Sequence, residues 1–260
     1  MGFKVEKLSK RYFAQNREVV ALQGIDFSVS DYEFVCIVGP SGCGKTTLLK
    51  IIAGLEKPTS GKIRFDKDSS NSKPANSMVF QEQSLFPWMN ILDNVSFGLE
   101  MRGVNKKKRH QMASDFLKRV GLGGFILNLP RELSGGMRQR VAILRAFLND
   151  PQVLLMDEPF GALDSQTRLV MQDELIHIWR ENRKTVIYIT HDIEEAIILG
   201  DRILVMSGRP GRITADIPVP LARPRSNEDR KHPEVVRIFS LIWKMIEREV
   251  RQDLNIVNEE

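Results

Sequence analysis

The chain begins with alternating apolar and polar residues. Phe3, Val5 and Leu8 are apolar, whereas the positions between them are charged. This two-residue period predicts a β-strand, which we expect to lie at the edge of a sheet. Alternation returns over 25–29 and 62–65, and the short apolar run at 19–22 predicts a further strand on the other side of Gly24.

Short, continuous apolar runs form a second pattern. Runs of this kind predict strands that are buried on both faces, as in a parallel sheet. They occupy 34–38, 77–81, 153–156 and 185–189. Segments with a helical period lie between several of them, over 48–53, 169–179 and 193–199. This alternation of strands and helices predicts an α/β fold.

The apolar period becomes helical between residues 91 and 148. One predicted helix in this segment opens with a basic run at 106–110, which fits a solvent-exposed helix face. The alternative is a nucleic-acid surface, but no aromatic residues lie among the basic ones as base stacking would need. We therefore expect no nucleic-acid partner.

A second helical pattern lies near the C-terminus, over 233–250. Its apolar stripe consists of Val236, Phe239, Ile242, Trp243 and Ile246. Such a stripe predicts an amphipathic helix. We expect it to pack on its own domain, and a contact with a partner or with a second copy is the alternative.

Composition narrows the class of protein. The 260 residues are 42% hydrophobic and 27% charged, as in a soluble globular protein. No apolar run is long enough to cross a bilayer, and the N-terminus lacks the apolar segment of a secretory signal. Cys36 and Cys43 are interpreted as small buried residues of a reducing compartment, which predicts a cytoplasmic location.

The strongest chemical signal is a glycine-rich loop between a predicted strand and a predicted helix. It fits the pattern G-x-x-x-x-G-K-[ST], and this context distinguishes a phosphate site from an ordinary glycine-rich turn. Backbone N–H groups and the helix N-terminus would face the phosphate oxygens, Lys45 adds a full positive charge, and the Thr46 hydroxyl can ligate Mg²⁺. The candidate nucleotide-binding residues are Gly39, Pro40, Ser41, Gly42, Cys43, Gly44, Lys45, Thr46 and Thr47.

Polar side chains follow two further buried strands. Asp157 and Glu158 come after one of them, and His191 comes after the next. Ligands bind at the carboxyl edge of a parallel sheet, where Asp157 can orient hydrated Mg²⁺ and Glu158 can polarise a water. A solvated strand end and a structural histidine are the alternatives. Together with the phosphate loop, His191 is better interpreted as a contact of the γ-phosphate.

A second glycine motif, Ser134-Gly135-Gly136, precedes another helix and has the geometry of an anion site. With this motif the chain resembles the ATP-binding subunit of ATP-binding cassette (ABC) transporters. The resemblance covers nearly the whole chain, and the motifs come in the order of the family. The loop ending at Thr46 is similar to Walker A, Ser134 to Gly136 to the signature motif, and 153–157 to Walker B.

The same resemblance assigns single residues. It implies that Glu158 is the catalytic glutamate, Gln81 the Q-loop glutamine and His191 the H-loop histidine. Tyr12, which we expect in a polar loop, is similar to the aromatic residue that stacks on adenine, and Asp164 ends a D-loop. Two departures are visible: Met137 stands where many members have Gln, and Gly161 where Ser is common.

The family implies a P-loop NTPase core with an antiparallel β subdomain and an inserted α-helical subdomain. We expect an ATPase domain over 1–222, with the helical part at about 91–148, and a helical extension over 223–260. The family also implies ATP and Mg²⁺, the metal being held by Thr46, Gln81 and, through water, Asp157. Catalysis would rest on Glu158, His191 and Lys45.

The implied assembly is a head-to-tail homodimer in which each ATP lies between Walker A of one subunit and residues 134–136 of the other. Implied partners are transmembrane permease subunits and, indirectly, a solute-binding protein, so the chain would lie peripherally at the cytoplasmic face of the cell membrane. Phe86-Pro87-Trp88, residues 206–213 and the C-terminal helix resemble those of importers of the nitrate, sulfonate and taurine type. That group also takes up bicarbonate and vitamin precursors.

Other functions stay open at this point. The ATPase of an exporter is one, and a soluble ABC ATPase acting on DNA or ribosomes is another. A nucleotide-dependent binding module without hydrolysis is the third, although the presence of Glu158 and His191 argues against it. The cargo is recognised by other subunits, so this chain does not name it.

Overall fold

The computed structural model describes residues 2–14, 17–66, 73–81 and 85–253. They form two compact units. The core unit consists of Met1–Ser70 and Arg183–Glu260, and the inserted unit is Asn71–Asn182. Within the described ranges, no helix is both long and apolar enough to cross a membrane.

Nine strands and seven α-helices are described. The strands are β1 (Phe3–Ala14), β2 (Arg17–Val29), β3 (Phe34–Val38), β4 (Ser60–Phe65), β5 (Asn76–Val79), β6 (Val153–Asp157), β7 (Thr185–Ile189), β8 (Arg202–Met206) and β9 (Ile213–Pro218). The helices are α1 (Lys45–Ile52), α2 (Ile91–Met101), α3 (Lys106–Arg119), α4 (Gly135–Leu148), α5 (Ser165–Glu181), α6 (Ile193–Leu199) and α7 (Pro233–Asp253). Short 3₁₀ helices lie at Gly123–Phe125, Pro130–Glu132 and Asn227–Lys231.

The core unit contains an antiparallel sheet in the order β2-β1-β4. Phe3 pairs with Val29 on one side and with Phe65 on the other, so β1 is the central strand. The expectation of an edge strand was therefore wrong, because alternation reports one buried face and not the number of neighbouring strands. Tyr12 lies within β1 and not in a loop.

A second expectation about this sheet also needs correction. One strand was expected on each side of Gly24, over 19–22 and 25–29. In the structure β2 runs through this glycine as a single strand. Gly24 has a φ of 59°, and the pairing register with β1 shifts nearby. A left-handed glycine of this kind marks a bulge, which bends a strand without ending it.

A mainly parallel layer gives the core unit its α/β character. Strands β7, β3 and β8 are parallel neighbours, and β9 pairs antiparallel with β8. Every residue of β3 and β7 is buried, which confirms the interpretation of the continuous apolar runs. The last paired residues of β3 and β7 are Ile37 and Ile189, so the segments after these strands leave from one edge of this layer.

The C-terminal helix α7 packs on α6 of its own unit. Val235, Ile238 and Ile242 are buried, whereas Val236 and Trp243 are 54% and 53% exposed. The helix and its packing were predicted correctly, but the buried stripe is displaced from the predicted one. The displacement arises because the helix carries two adjacent apolar stripes, and only tertiary packing decides between them.

The inserted unit pairs β5 with β6 in parallel and is otherwise helical. Helix α2 packs against α3 and α4. Buried Asn94 fixes the chain before α2, since its side chain accepts from the Phe86 N–H at 2.8 Å and donates to the Met89 carbonyl at 3.0 Å. The described elements between residues 91 and 148 are all helices, as the change of period predicts.

Candidate nucleotide-binding site

The glycine-rich loop joins β3 to α1 in the core unit. Gly42 and Gly44 have φ values of 75° and 105°, a left-handed backbone that favours glycine. A Cβ on Gly44 would lie 2.8 Å from Leu22 Cδ2, so a side chain has no room there. Gly44 is the N-cap of α1, and it has no side chain that could accept from the N–H groups of the first turn.

Lys45 turns back across this loop. It is only 6% exposed, and its Nζ donates to the carbonyls of Gly39 at 2.8 Å and Pro40 at 2.9 Å. These two carbonyls satisfy a charge that would otherwise be costly to bury. The positively charged ammonium of Lys45 is therefore held inside the loop by two backbone carbonyls.

The thiol of Cys43 belongs to the packing of the loop. Its Sγ lies 3.9 Å from Lys45 Nζ, and burial raises the pKa of the thiol above its ordinary value. A neutral, buried thiol is a poor nucleophile. Cys36 and Cys43 are both free and buried, in agreement with their interpretation as small packing residues.

Tyr12 stands beside the end of the loop. Its ring is 37% exposed, and its hydroxyl lies 3.5 Å from Thr47 Oγ1. Lys10 Nζ lies 4.9 Å from the ring centroid. A half-exposed aromatic ring next to a phosphate loop is suited to stacking on a base.

His191 follows β7 and is exposed at the same edge of the layer as the phosphate loop. The backbone around it is held by two neighbours. Thr190 Oγ1 accepts from the Asp192 N–H at 3.0 Å and donates to the buried carboxylate of Glu195. Asp192 in turn caps α6 by accepting from the Glu195 N–H at 3.1 Å.

Glu195 is a supporting residue that sequence reasoning missed. It is 3% exposed, and its contacts to Thr190 and Asp192 hold both residues that flank His191. The signal was present, because an Asp followed three residues later by Glu has the spacing of a capping box.

In the inserted unit, two carboxylates lie at the end of β6. Asp157 is its last residue and is 4% exposed. Glu158 has a φ of 42°, and its carbonyl accepts from the Gly161 N–H at 3.0 Å. A left-handed glutamate costs roughly 1–3 kcal/mol, and such strain clusters at functional sites.

The Ser-Gly-Gly motif opens α4. Ser134 caps this helix, with its Oγ accepting from the Met137 N–H at 3.3 Å. A Cβ on Gly136 would lie 3.0 Å from Thr167 Cγ2, which makes any larger residue a tight fit. The motif is thus packed against the start of α5.

The D-loop residue Asp164 caps α5. Its Oδ1 accepts from the Thr167 N–H at 3.0 Å, and this backbone hydrogen bond lowers the pKa of the Asp164 carboxyl below its ordinary value. Gln81 is exposed close after β5. The next residues of the predicted Q-loop, Glu82 to Ser84, lie outside the described residues.

Each unit therefore contains part of the predicted set. The phosphate loop, Tyr12 and His191 belong to the core unit. Gln81, residues 134–136, Asp157, Glu158 and Asp164 belong to the inserted unit. The hydroxyl of Thr46, the amide of Gln81 and the carboxylate of Asp157 offer oxygen donors, and oxygen is the ligand type that Mg²⁺ prefers.

Comparison with known proteins gives a consistent family. The family model described as "ABC transporter" matches residues 22–161. The chain is 48% identical to the nitrate import ATP-binding protein NrtD of Synechocystis sp. over 222 residues, 85% of this chain and 84% of that protein. It is 43% identical to the taurine import ATP-binding protein TauB of Roseobacter denitrificans over 256 residues, 95% of this chain and 96% of that protein.

A solved structure is similar as well. It is the dimeric, post-hydrolysis state of the ATP-binding cassette MJ0796 bound to ADP and Pi. The TM-score is 0.73 at 33% sequence identity, and the match covers 85% of this chain and 100% of that one. The similarity extends well beyond the short motifs.

Proposed function

Because this chain belongs to the ABC transporter family, we propose that it hydrolyses ATP to drive an importer of small anionic or vitamin-like solutes. The observation that carries the proposal is identity of 43–48% to ATP-binding proteins named for nitrate and taurine import, over most of each chain. The fold supports it, since the core unit combines an antiparallel sheet with a P-loop layer.

The phosphate loop binds the triphosphate in this proposal. The N–H groups of residues 42–47 surround the β- and γ-phosphates, and Lys45 offers its ammonium to the same oxygens. Tyr12 stacks on the adenine. Each of these groups acts on charge or on a π-surface that ATP presents, and the left-handed Gly42 and Gly44 keep the backbone in the required curl.

Hydrolysis is assigned to Glu158 and His191, and Lys45 of the phosphate loop is the third catalytic side chain. Glu158 orients a water and takes its proton, and His191 holds the γ-phosphate. Thr46, Gln81 and, through water, Asp157 would hold Mg²⁺. When bound, this ion neutralises charge that grows on the β- and γ-oxygens.

The site is completed by a second copy of the chain. Residues 134–136 of one copy face the γ-phosphate held by Walker A of the other, because the helix that Ser134 caps presents its N-terminus to an anion. The dimeric state of the MJ0796 cassette supports this arrangement. ATP then stabilises the closed dimer, and hydrolysis releases it.

The inserted unit offers a place for a permease. A groove of about 390 Å³ is lined by Met78, Phe97, Met101, Arg145 and Asn149, among others. Phe97 packs against Phe86 with ring centroids 4.6 Å apart and the ring planes tilted by 56°, so the groove is linked to the segment that follows Gln81. We assign this groove to a permease segment, which would place the chain peripherally at the cytoplasmic face of the membrane, beside a transporter that a solute-binding protein supplies.

The test is solute uptake by cells that lack the chain. Complementation with the wild type should restore ATP-dependent uptake of one of nitrate, taurine, an alkanesulfonate or bicarbonate, and Glu158→Gln should not. Restored efflux with no change in uptake would instead indicate an exporter. ATPase activity that no membrane fraction alters, with uptake unchanged, would indicate a soluble ATPase.

A further inference from the structure

The loop between β8 and β9, residues 207–212, is closed by its own hydrogen bonds. The Arg212 N–H donates to Ser207 Oγ at 2.9 Å, and the Ser207 N–H donates to the Arg212 carbonyl at 2.9 Å. Ser207 Oγ also lies 3.1 Å from the Pro210 carbonyl. The 207–212 loop therefore has a defined shape, although it carries no residue of the proposed site.

This loop packs directly against the phosphate loop. Arg209 Nε donates to the Gly42 carbonyl at 2.8 Å. A Cβ on Gly211 would lie 2.1 Å from the Cys43 carbonyl oxygen, so only glycine permits this approach. Two consecutive residues of the phosphate loop are thus contacted by the 207–212 loop.

The hydrogen bond from Arg209 helps to set the orientation of the Gly42–Cys43 peptide. In a trans peptide the C=O of Gly42 and the N–H of Cys43 point in opposite directions. With the carbonyl held by Arg209, the N–H is directed away from it and donates to the Pro40 carbonyl at 3.4 Å across the loop. Arg209 therefore helps to keep this N–H on the inner side of the phosphate loop.

The 207–212 loop is itself anchored from two directions. Gly211 exchanges backbone hydrogen bonds with β2, through the Ala21 carbonyl at 3.0 Å and the Gln23 N–H at 3.0 Å. On the other side the Gly208 N–H donates to Glu249 Oε2 of α7 at 2.9 Å. A hydrogen-bonded path thus runs from the C-terminal helix through Gly208 and Arg209 to Gly42.

We propose that Arg209 is a positioning residue of the nucleotide site, and that Glu249 makes the C-terminal helix part of its support. This inference rests on the proposed ATP site. Neither residue needs to touch the nucleotide. Their role is to fix the Gly42–Cys43 peptide before ATP arrives, so that binding does not have to order it.

The experiment is a titration of the purified full chain with MgATP, together with steady-state ATPase kinetics. Arg209→Ala should raise the Kd and KM for ATP by about three- to tenfold, the range expected for one lost hydrogen bond, with kcat within about twofold. Glu249→Ala should raise the Kd in the same direction, and Glu249→Gln, which keeps an acceptor for Gly208, should bind ATP like the wild type.

The sign of the Glu249 effect separates positioning from simple electrostatics. Removing a negative charge should strengthen the binding of an anion if charge alone acts, whereas the proposal predicts weaker binding. Glu247→Ala is the matched control, because Glu247 lies on the same helix and pairs with Arg251 of that helix at 2.9 Å. It makes the same change in charge without touching the 207–212 loop.

Two further measurements complete the test. The double variant Arg209→Ala/Glu249→Ala should bind more tightly than the sum of the single effects predicts, because both act through one loop. Wild-type affinity in Arg209→Ala, or equal affinity in Glu249→Ala and Glu247→Ala, would overturn the inference. Lys45→Ala is the reference: if it too leaves ATP binding unchanged, the proposed function has failed, and not only the role of Arg209.

Discussion

The core unit and the inserted unit differ in the part of the chain that would carry the proposed chemistry. In the core unit it is mainly backbone: left-handed Gly42 and Gly44, and carbonyls that hold Lys45. In the inserted unit it is mainly side chains at the ends of elements, such as Glu158 after β6 and Ser134 before α4. A site built from backbone groups has a fixed shape that suits the binding of a ligand. A side chain at the end of a helix or strand can instead be directed at a reacting atom.

This comparison predicts that the two units fail in different ways. Changes in the phosphate loop of the core unit should first weaken the binding of ATP. Changes in the inserted unit should first reduce turnover, with binding retained. A variant of the inserted unit that loses ATP affinity without losing turnover would break the distinction.

The largest effect is expected for Glu158→Gln. The amide keeps the size of the side chain but cannot take a proton from water, so kcat should fall by about 10² or more. The Kd for MgATP should stay within about twofold of the wild type. Phosphate release and nucleotide titration measure the two quantities separately.

The control for this variant is Glu181→Gln, which removes a carboxylate at the end of α5 in the same unit. It should leave kcat unchanged. Near-normal turnover in Glu158→Gln would remove this residue from the role of general base, and the strained backbone at φ 42° would then need another explanation.

The next-largest effect compares two variant chains, one changed in the inserted unit and the other in the core unit. Ser134→Arg should abolish hydrolysis, since a long cation would occupy the N-terminus of α4, while its own phosphate loop still binds ATP. Lys45→Ala should also be inactive, because its phosphate loop binds ATP weakly although the N-terminus of its α4 is intact. A mixture of the two should recover part of the activity, because one composite site in each mixed dimer stays whole.

The mixture must be compared with each variant alone at the same total concentration. Recovered activity should rise with the fraction of mixed dimers and saturate near equal amounts. If no activity returns on mixing, although each variant is folded, each chain completes its own site and the head-to-tail arrangement is wrong.

Sequence reasoning succeeded where the determinant is local. It placed β7 and α6 at the bounds that the structure has, because turn residues and apolar runs lie next to each other in the chain. It was wrong for β1, since an edge and a central strand share one alternation pattern. It could not find the contact of Arg209 with Gly42, which joins residues 167 positions apart.

The same limit explains the C-terminal helix. Its period predicted α7, but the choice between two apolar stripes depends on the shape of α6, which no pattern within α7 records. For the candidate site, motifs named the residues that we propose to contact a ligand. The residues that hold them in place, such as Glu195 and Arg209, have to be found from their contacts.

The smallest effect concerns stability at the start of α5. The Asp164 carboxylate accepts from the Thr167 N–H, and its folded-state pKa lies below the ordinary value of 3.8. A lowered folded pKa means that the charged form stabilises the folded chain above the unfolded pKa, and that this stabilisation is lost as pH falls through the folded pKa. Asn caps a helix about as well but does not titrate.

Thermal unfolding of the wild type and Asp164→Asn between pH 7 and pH 3 should therefore show a small difference that shrinks below about pH 4. Asp115→Asn, inside α3, is the control for removal of an acidic charge from the same unit. A difference between wild type and Asp164→Asn that stays constant with pH would mean that the cap acts through its geometry alone. The Asp164 side chain would then act through a fixed hydrogen-bond geometry, as the backbone groups of the core unit do. The contrast between the two units would be confined to Glu158 and Ser134.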